Sequence, residues 1–239
     1  MLNAEYVSLS RQMGLEVKMD VIANNIANMN TTAYKSESTL FQEYLVEDSE
    51  GQLISYTLDW GLVRNLAEGE MTPTGNPFDL AISGTGYFVV ETPDGLQYTR
   101  NGHFRIDDTG RLVSSDGHPV LDDGGRPIQF GESDTTVTIA NDGTVTTESG
   151  VIGRIDVVTF DNENLLKMVG DGLYTTDQPP IPADGALVLQ GMIERSNVQP
   201  ILEMTELIRT QRAYSATQRL LDATNDLQRK MLDRIANIF

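Results

Sequence analysis

The sequence predicts an α+β protein: long N- and C-terminal helices forming a coiled-coil-like helical domain, with an antiparallel all-β middle domain between them. Three observations predict it. From Pro200 to Phe239 there is no further proline and no glycine, and apolar residues recur three and four apart. Residues 3 to 29 carry a shorter stretch of mostly helical spacing, also without proline. Between them, short β-branched and aromatic runs alternate with Gly/Asp turns. The expected organisation is 1–36 as the N-terminal helix, which with 196–239 forms the inner helical domain. Residues 37–78 are an extended or hairpin connection, 79–190 the all-β domain, and 191–239 the C-terminal helix.

The C-terminal pattern is the stronger one. One row reads Ala213, Ala216, Leu220, Ala223, Leu227, Met231, Ile235 and Ile238; a second, Leu207, Tyr214 and Leu221, runs beside it. Helix formers fill most other positions. Ser196-Asn197 supplies a plausible entry, with Pro200 close to the first turn. At about 1.5 Å per residue, about 35 residues make a rod of roughly 50 Å. Such a helix cannot bury both rows alone. The N-terminal stretch offers Val7, Met13, Val17, Val21, Ile22, Ile26 and Met29. The two ends are expected to pair with each other or with other copies. The interface residues expected on this basis are Val21, Ile22, Asn25, Ile26, Met29, Leu207, Ala213, Tyr214, Leu220, Leu221, Leu227, Met231 and Ile235.

Helix one is expected to end near Met29, where Asn24, Asn25 and Asn28 crowd its last turns. Asn25 and Asn28 read as caps rather than as bonds between subunits. Gly14 marks either a kink or a close approach of another helix. From 30 to 80, Glu50-Gly51, Trp60-Gly61, Glu68-Gly69 and residues 72–77 are turn signals with short apolar pieces between them. Further on, residues 87–90, 97–100, 103–106, 111–113, 137–139, 144–146 and 154–160 read as strands. They are joined at Asp94-Gly95, Asn101-Gly102, Asp108-Thr109-Gly110 and Asp142-Gly143. Many short strands with no βαβ alternation indicate an antiparallel sandwich or barrel.

Composition narrows the function. With 239 residues the chain can build a real core. No run approaches the 18 or more apolar residues of a membrane span, so no membrane insertion is expected. The start lacks the basic and apolar blocks of a cleaved signal, so the protein is expected to stay inside or leave by a route that needs none. No cysteine is present, which rules out disulfides, thiolate metal sites and cysteine nucleophiles. The net charge of −18 is uneven: residues 1–36 are neutral, 195–239 carry +2 and the middle carries −20. An acidic middle repels nucleic acid and anionic lipid. The near-neutral ends are free to come together.

No constellation supports an enzyme, a cofactor or a metal. Asp107-Asp108 and Asp122-Asp123 precede Thr-Gly and Gly-Gly at hairpins, where Asp caps the local backbone. His103 and His118 lie in no ligand motif. Ser83-Gly84-Thr85-Gly86 precedes a strand, so it lacks the helix N-terminus that holds a phosphate.

Several blocks resemble one family. Ala23-Asn24-Asn25-Ile26-Ala27-Asn28 followed by Thr31-Thr32-Ala33-Tyr34-Lys35 is similar to the N-terminal signature of bacterial flagellar rod and hook proteins. Residues 79–82 with 86–88, then Tyr98-Thr99-Arg100-Asn101-Gly102, Phe104, residues 110–113 and residues 117–121 follow in the family's order. Ser196-Asn197-Val198, Glu206-Leu207-Ile208 and Gln211-Arg212-Ala213-Tyr214 resemble its C-terminal signature. The length excludes the larger inserted domains of hook proteins, and the chain most resembles the proximal rod member, with the distal rod member as the alternative. The resemblance implies a non-enzymatic subunit of the flagellar basal body, exported by the flagellar type III apparatus and assembled in the periplasm. It implies polymerisation through the terminal helices, with other copies and other rod subunits, into a tube that surrounds the export channel and transmits motor torque. A different class also fits the residues: a soluble secreted binding module with a coiled-coil stalk and a β head.

Overall fold

The computed structural model describes residues 2–47, 53–131, 134 and 136–236, with side chains for all of these except 2–5, 42–47, 53–60, 232 and 234–236. It forms two compact units. The first comprises Met1–Ala27, Ser36–Asn65 and Gln199–Phe239; the second comprises Asn28–Lys35 and Leu66–Val198.

In the first unit, α1 (Leu2–Ala27) packs against α2 (Pro200–Ala236) and against a long hairpin, β1 (Glu37–Glu47) and β2 (Leu53–Arg64). Proline at the first position of α2 costs nothing, because that N–H has no helical partner anyway. The N–H groups of Leu202 and Glu203 both bond the Gln199 carbonyl, at 3.0 Å each. The Trp60-Gly61 turn signal is instead a β-bulge inside β2. Leu40 pairs with Gly61 but Phe41 with Asp59, and Gly61 takes φ 141°. The Glu50-Gly51 signal and Ile238 lie outside the described residues.

The α+β class broadly fits, but the expected coiled-coil-like domain is overturned. Only two helices flank the β region among the described residues. What lies buried on α2 is Thr210 and Thr217, and the bonds between the helices are polar: Gln12 to Gln218 at 2.7 Å and Lys18 to Glu206 at 2.5 Å. A coiled coil buries an apolar seam of knobs in holes. Here Leu220, Leu227 and Met231 stay exposed, and the hairpin occupies part of the flank of α1.

The second unit is antiparallel throughout. Its strands are β3 (Met71–Pro73), β4 (Leu80–Ser83), β5 (Tyr87–Thr92), β6 (Gly95–Thr99), β7 (Arg105–Ile106), β8 (Leu112–Val113), β9 (Val137–Ile139), β10 (Thr144–Thr147) and β11 (Gly150–Arg154). Then follow β12 (Val157–Thr159), β13 (Lys167–Gly170), β14 (Leu173–Thr175), β15 (Ile181–Pro182), β16 (Leu187–Gln190) and β17 (Met192–Glu194). The largest sheet has the order β13-β14-β6-β5-β12-β15; β11-β10-β9 form a second, and β16-β4, β17-β3 and β7-β8 are pairs. β5 is buried on both faces. Phe88 and Val90 enter one cluster with Leu80, Phe104 and Leu112; Tyr87 and Val89 enter another with Tyr98, Phe160 and Tyr174. That explains an unbroken apolar run where a one-sided strand would alternate. The 154–160 strand is split: the Ile155 N–H bonds Gly143 O and the Asp156 N–H bonds Leu121 O, so the chain changes sheets there.

The Asp pairs behave as turn residues. Asp107 Oδ1 accepts from the Thr109 and Arg111 N–H groups at 2.8 and 2.9 Å. Asp122 Oδ1 accepts from Gly124 and Arg126 at 2.9 and 2.8 Å.

A buried ionic cluster holds the second unit's long-range contacts. Glu194 Oε1 accepts from Lys35 Nζ at 2.6 Å and from the Gly69 N–H at 2.8 Å; Oε2 accepts from Arg100 Nε at 2.9 Å. All three charged side chains are at most 4 % exposed. Arg100 also donates to the carbonyls of Ile82, Gly84 and Gly86, and Lys35 to that of Ala67. Burial pushes the Glu194 carboxyl up, but Arg100, then Lys35 and the Gly69 N–H outweigh it, so it lies below its ordinary value. Burial and then Arg100 push the Lys35 ammonium down, against the pull of Glu194. Beside the cluster, Ala33 is left-handed at φ 57°, and its N–H bonds Glu194 O at 2.8 Å.

Glu194→Gln leaves two buried cations without an anion and should cost about 3–5 kcal/mol in urea unfolding. In the wild type the carboxylate's contribution is complete above the ordinary carboxylate range. It fades as pH falls through the lowered value, and the variant should lack that acid limb. Gly102→Ala would put a Cβ 1.7 Å from Leu80 O, so it should destabilise by at least about 3 kcal/mol in the same assay.

Candidate functional site

The residues expected at an interface fall into three groups. The first is already used inside the chain. Ile22 is buried and Val21 and Ile26 are half-buried on α1. Asn25 is 2 % exposed and neither caps the helix nor reaches outward: its Nδ2 donates to Glu37 O at 2.8 Å and its Oδ1 accepts from the Glu37 N–H at 3.0 Å. One amide thereby satisfies both backbone groups of the first residue of β1, fixing where the hairpin starts on α1. Asn28 makes a turn, its Oδ1 accepting from Thr31 Oγ1 at 3.1 Å. Met29 is half-buried in the second unit.

The second group is half-buried on α2: Leu207, Ala213, Tyr214 and Leu221. Residues 207, 214 and 221 are seven apart, and they neighbour the buried Thr210 and Thr217. This is the α2 face that has cover within the chain. Lys18 bonds Glu206 at 2.5 Å, and Arg209 stands 3.7 Å from the same carboxylate. The Lys18 hydrogen bond and charge hold the Glu206 carboxyl below its ordinary value. On α1 the buried positions include Ser8 and Gly14, while Met13 beside Gly14 is 60 % exposed. Burial of a glycine inside an unbroken helix fits a close approach rather than a kink.

The third group faces outward. Leu220, Leu227 and Met231 are 59, 55 and 46 % exposed, and Ala216 and Ala223 of the same row are exposed too. Ile235 lies in α2 without a described side chain. Two further apolar stripes were not anticipated: Tyr6, Leu9 and Met13 on α1, and Ile201, Met204 and Ile208 at the start of α2. Both have the i, i+3, i+7 spacing of one helix face. That spacing was readable, but a periodicity does not say which face is covered. The Lys35, Arg100 and Glu194 cluster was also missed. Its signal was a cation in each of two motif blocks with a carboxylate just before Ser196-Asn197-Val198.

The groups above include no arrangement for acid/base or nucleophilic chemistry. Among the described residues there is no group of three or more metal-ligating side chains. Among the described residues, too, no helix is long and apolar enough to cross a membrane. What this unit offers is exposed apolar helix surface, rimmed by charge, of the kind that marks protein–protein contact.

Comparisons with known proteins match three regions in order along the chain. Residues 6–35 match the family described as flagella basal body rod protein, residues 81–147 the flagellar hook protein FlgE/F/G D1 domain, and residues 189–234 the flagellar basal body rod FlgEFG protein C-terminal region. The flagellar basal-body rod protein FlgF of Caulobacter vibrioides is 41 % identical over 99 % of both chains. The FlgF protein of Mesorhizobium japonicum is 37 % identical over 94 % of both. The rod protein FlgG of Bacillus subtilis is 31 % identical over 98 % of this chain and 99 % of its own. With the matched regions in order from residue 6 to residue 234, this chain belongs to the flagellar basal-body rod protein family.

Proposed function

We propose that this chain is a structural subunit of the flagellar basal-body rod, in its proximal part, and that neighbouring subunits cover the helix faces it leaves open. The observation that carries the proposal is the division of α2 into two rows. Leu207, Tyr214 and Leu221 are half-buried within the chain, whereas Leu220, Leu227 and Met231 are exposed along the same helix. Three such side chains, spaced seven and four residues apart, need an extended partner, since each fully buried one is worth about 1.5–3 kcal/mol. A helical array supplies that partner to every copy. The proximal placement is supported by relatives named FlgF at 41 and 37 % identity.

The partners are other copies and other rod subunits, meeting through the outward row of α2 and the Tyr6, Leu9 and Met13 stripe of α1. The chain is exported by the flagellar type III apparatus and is built into the periplasmic rod. There it walls the export channel and carries torque. A chain free of cysteine suits passage in an unfolded form, since no disulfide has to be kept apart.

Leu220→Asp should block entry into basal bodies and abolish motility. Its side chain is exposed, so urea stability should shift by under about 0.5 kcal/mol. Normal rods built from this variant would remove the outward row from the interface. Isolated helices are marginal in water. If neighbouring copies complete the burial of the terminal helices, circular dichroism should show helix content rising with protein concentration; constant, full helicity in dilute solution would show that the helices need no neighbour to form.

A further inference from the structure

The first unit holds an open groove of about 500 Å³ between α1, the start of β1 and the first turns of α2. Ile22 and Val21 give it an apolar wall, and Phe41 and Leu202 line it while 36 and 61 % exposed. That volume lies in the range of clefts that bind other molecules, about 300–1,000 Å³ for small ligands. Its acidic members are Glu37, Glu203 and Glu206, against Lys18 and Arg209. Glu37 is paired with Arg64, and Glu206 with Lys18. Glu203 has no ion pair among the described residues.

The complementary surface lies at the other end of α2. Leu227 and Met231 are exposed four residues apart, with Ile235 four further in the sequence. Arg229 and Lys230 beside them are exposed. Residues 229–236 hold Arg229, Lys230 and Arg234 against Asp233, a net charge of +2. A basic, apolar helix segment thus stands at one end of α2, and at the other an apolar groove whose one carboxylate outside an ion pair among the described residues is Glu203.

We propose that residues 227–235 of α2 from one copy seat in this groove of the next copy, with Met231 against the Val21, Phe41 and Leu202 surface and Arg229 or Lys230 on Glu203. The proposal rests on the rod reading above and names the contact through which copies join. The occupant is a second copy because the chain cannot reach itself. Leu202 and Met231 lie 29 residues apart on one helix, roughly 44 Å at about 1.5 Å per residue. The mode is a helix laid in a groove, with anchors at i and i+4. Two different patches meet, so the contact is heterologous. A heterologous contact that does not close on itself propagates a helical filament.

The absence of native cysteine makes the test direct. Chains carrying Leu202→Cys and chains carrying Met231→Cys are co-expressed and oxidised in isolated basal bodies. A disulfide needs Cα atoms within about 7 Å, so a 202–231 bridge can form only between copies. The expected result is a crosslinked dimer from the mixture and none from either variant alone. Glu203→Lys on the groove partner should cut its yield about tenfold, and Lys230→Glu on the other should restore it. Thr205→Cys with Lys230→Cys repeats the test on neighbouring positions. If rods form but both mixtures give no dimer, or bridge only 231 to 231, this contact is wrong while the rod reading stands. If the unsubstituted chain never enters basal bodies, the rod reading fails and takes this contact with it.

Discussion

The Glu194 carboxylate is the constraint on which the second unit depends. It is almost fully buried and accepts from Lys35, Arg100 and the Gly69 N–H. A buried ion is tolerated only when opposite charge and hydrogen bonds replace lost water. Here the replacements come from parts of the chain separated by as many as 159 residues. The cluster therefore forms only when residues 33–35, 67–69, 82–86, 100 and 194 have all arrived. Burying a methylene rewards many arrangements; satisfying one carboxylate rewards very few. The Arg100 guanidinium, 6.0 Å over the Tyr87 ring, ties the cluster to the core around β5 as well.

The same cluster places the two ends of the chain side by side where they pass through this unit. Ala33 N–H bonds Glu194 O, and Asn197 N–H bonds Tyr34 O at 3.2 Å. Ala33 can hold its left-handed turn because a small side chain limits the steric penalty. The segment that follows α1 and the segment that precedes α2 are thus fixed to each other by backbone bonds. Between the helices themselves lie the Gln12–Gln218 bond and the Lys18–Glu206 ion pair.

Only one side of α2 has cover within the chain: Thr210 and Thr217 are buried there, beside half-buried Leu207, Ala213, Tyr214 and Leu221. Leucines and methionines remain outside, where a polymer can bury them. The uneven charge serves the same end: a strongly acidic middle discourages random association, and near-neutral ends permit the specific one. Membership in the flagellar rod family gives this division a purpose, since a rod subunit has to stay separable before assembly and cohesive afterwards.

The sequence by itself determined the family, the α+β class, both terminal helices, the location of the β region and the turn role of Asp107 and Asp122. Each follows from a local rule: an unbroken helical period from Pro200 onward, a carboxylate two residues before a turn N–H, short motif blocks in a fixed order. It did not determine what each helix face touches. Leu220 and Leu221 are adjacent and equally apolar, yet one is exposed and the other half-buried, because α1 and the hairpin occupy only part of the available surface. The same holds for Gly61, a turn signal that became a bulge, and for Asn25, a cap by composition that became a clamp on Glu37. Tertiary structure decided these points because burial and hydrogen-bond pairing depend on which distant segment arrives. The meeting of Lys35, Arg100 and Glu194 is the clearest case, since nothing local to any of the three residues calls for the other two.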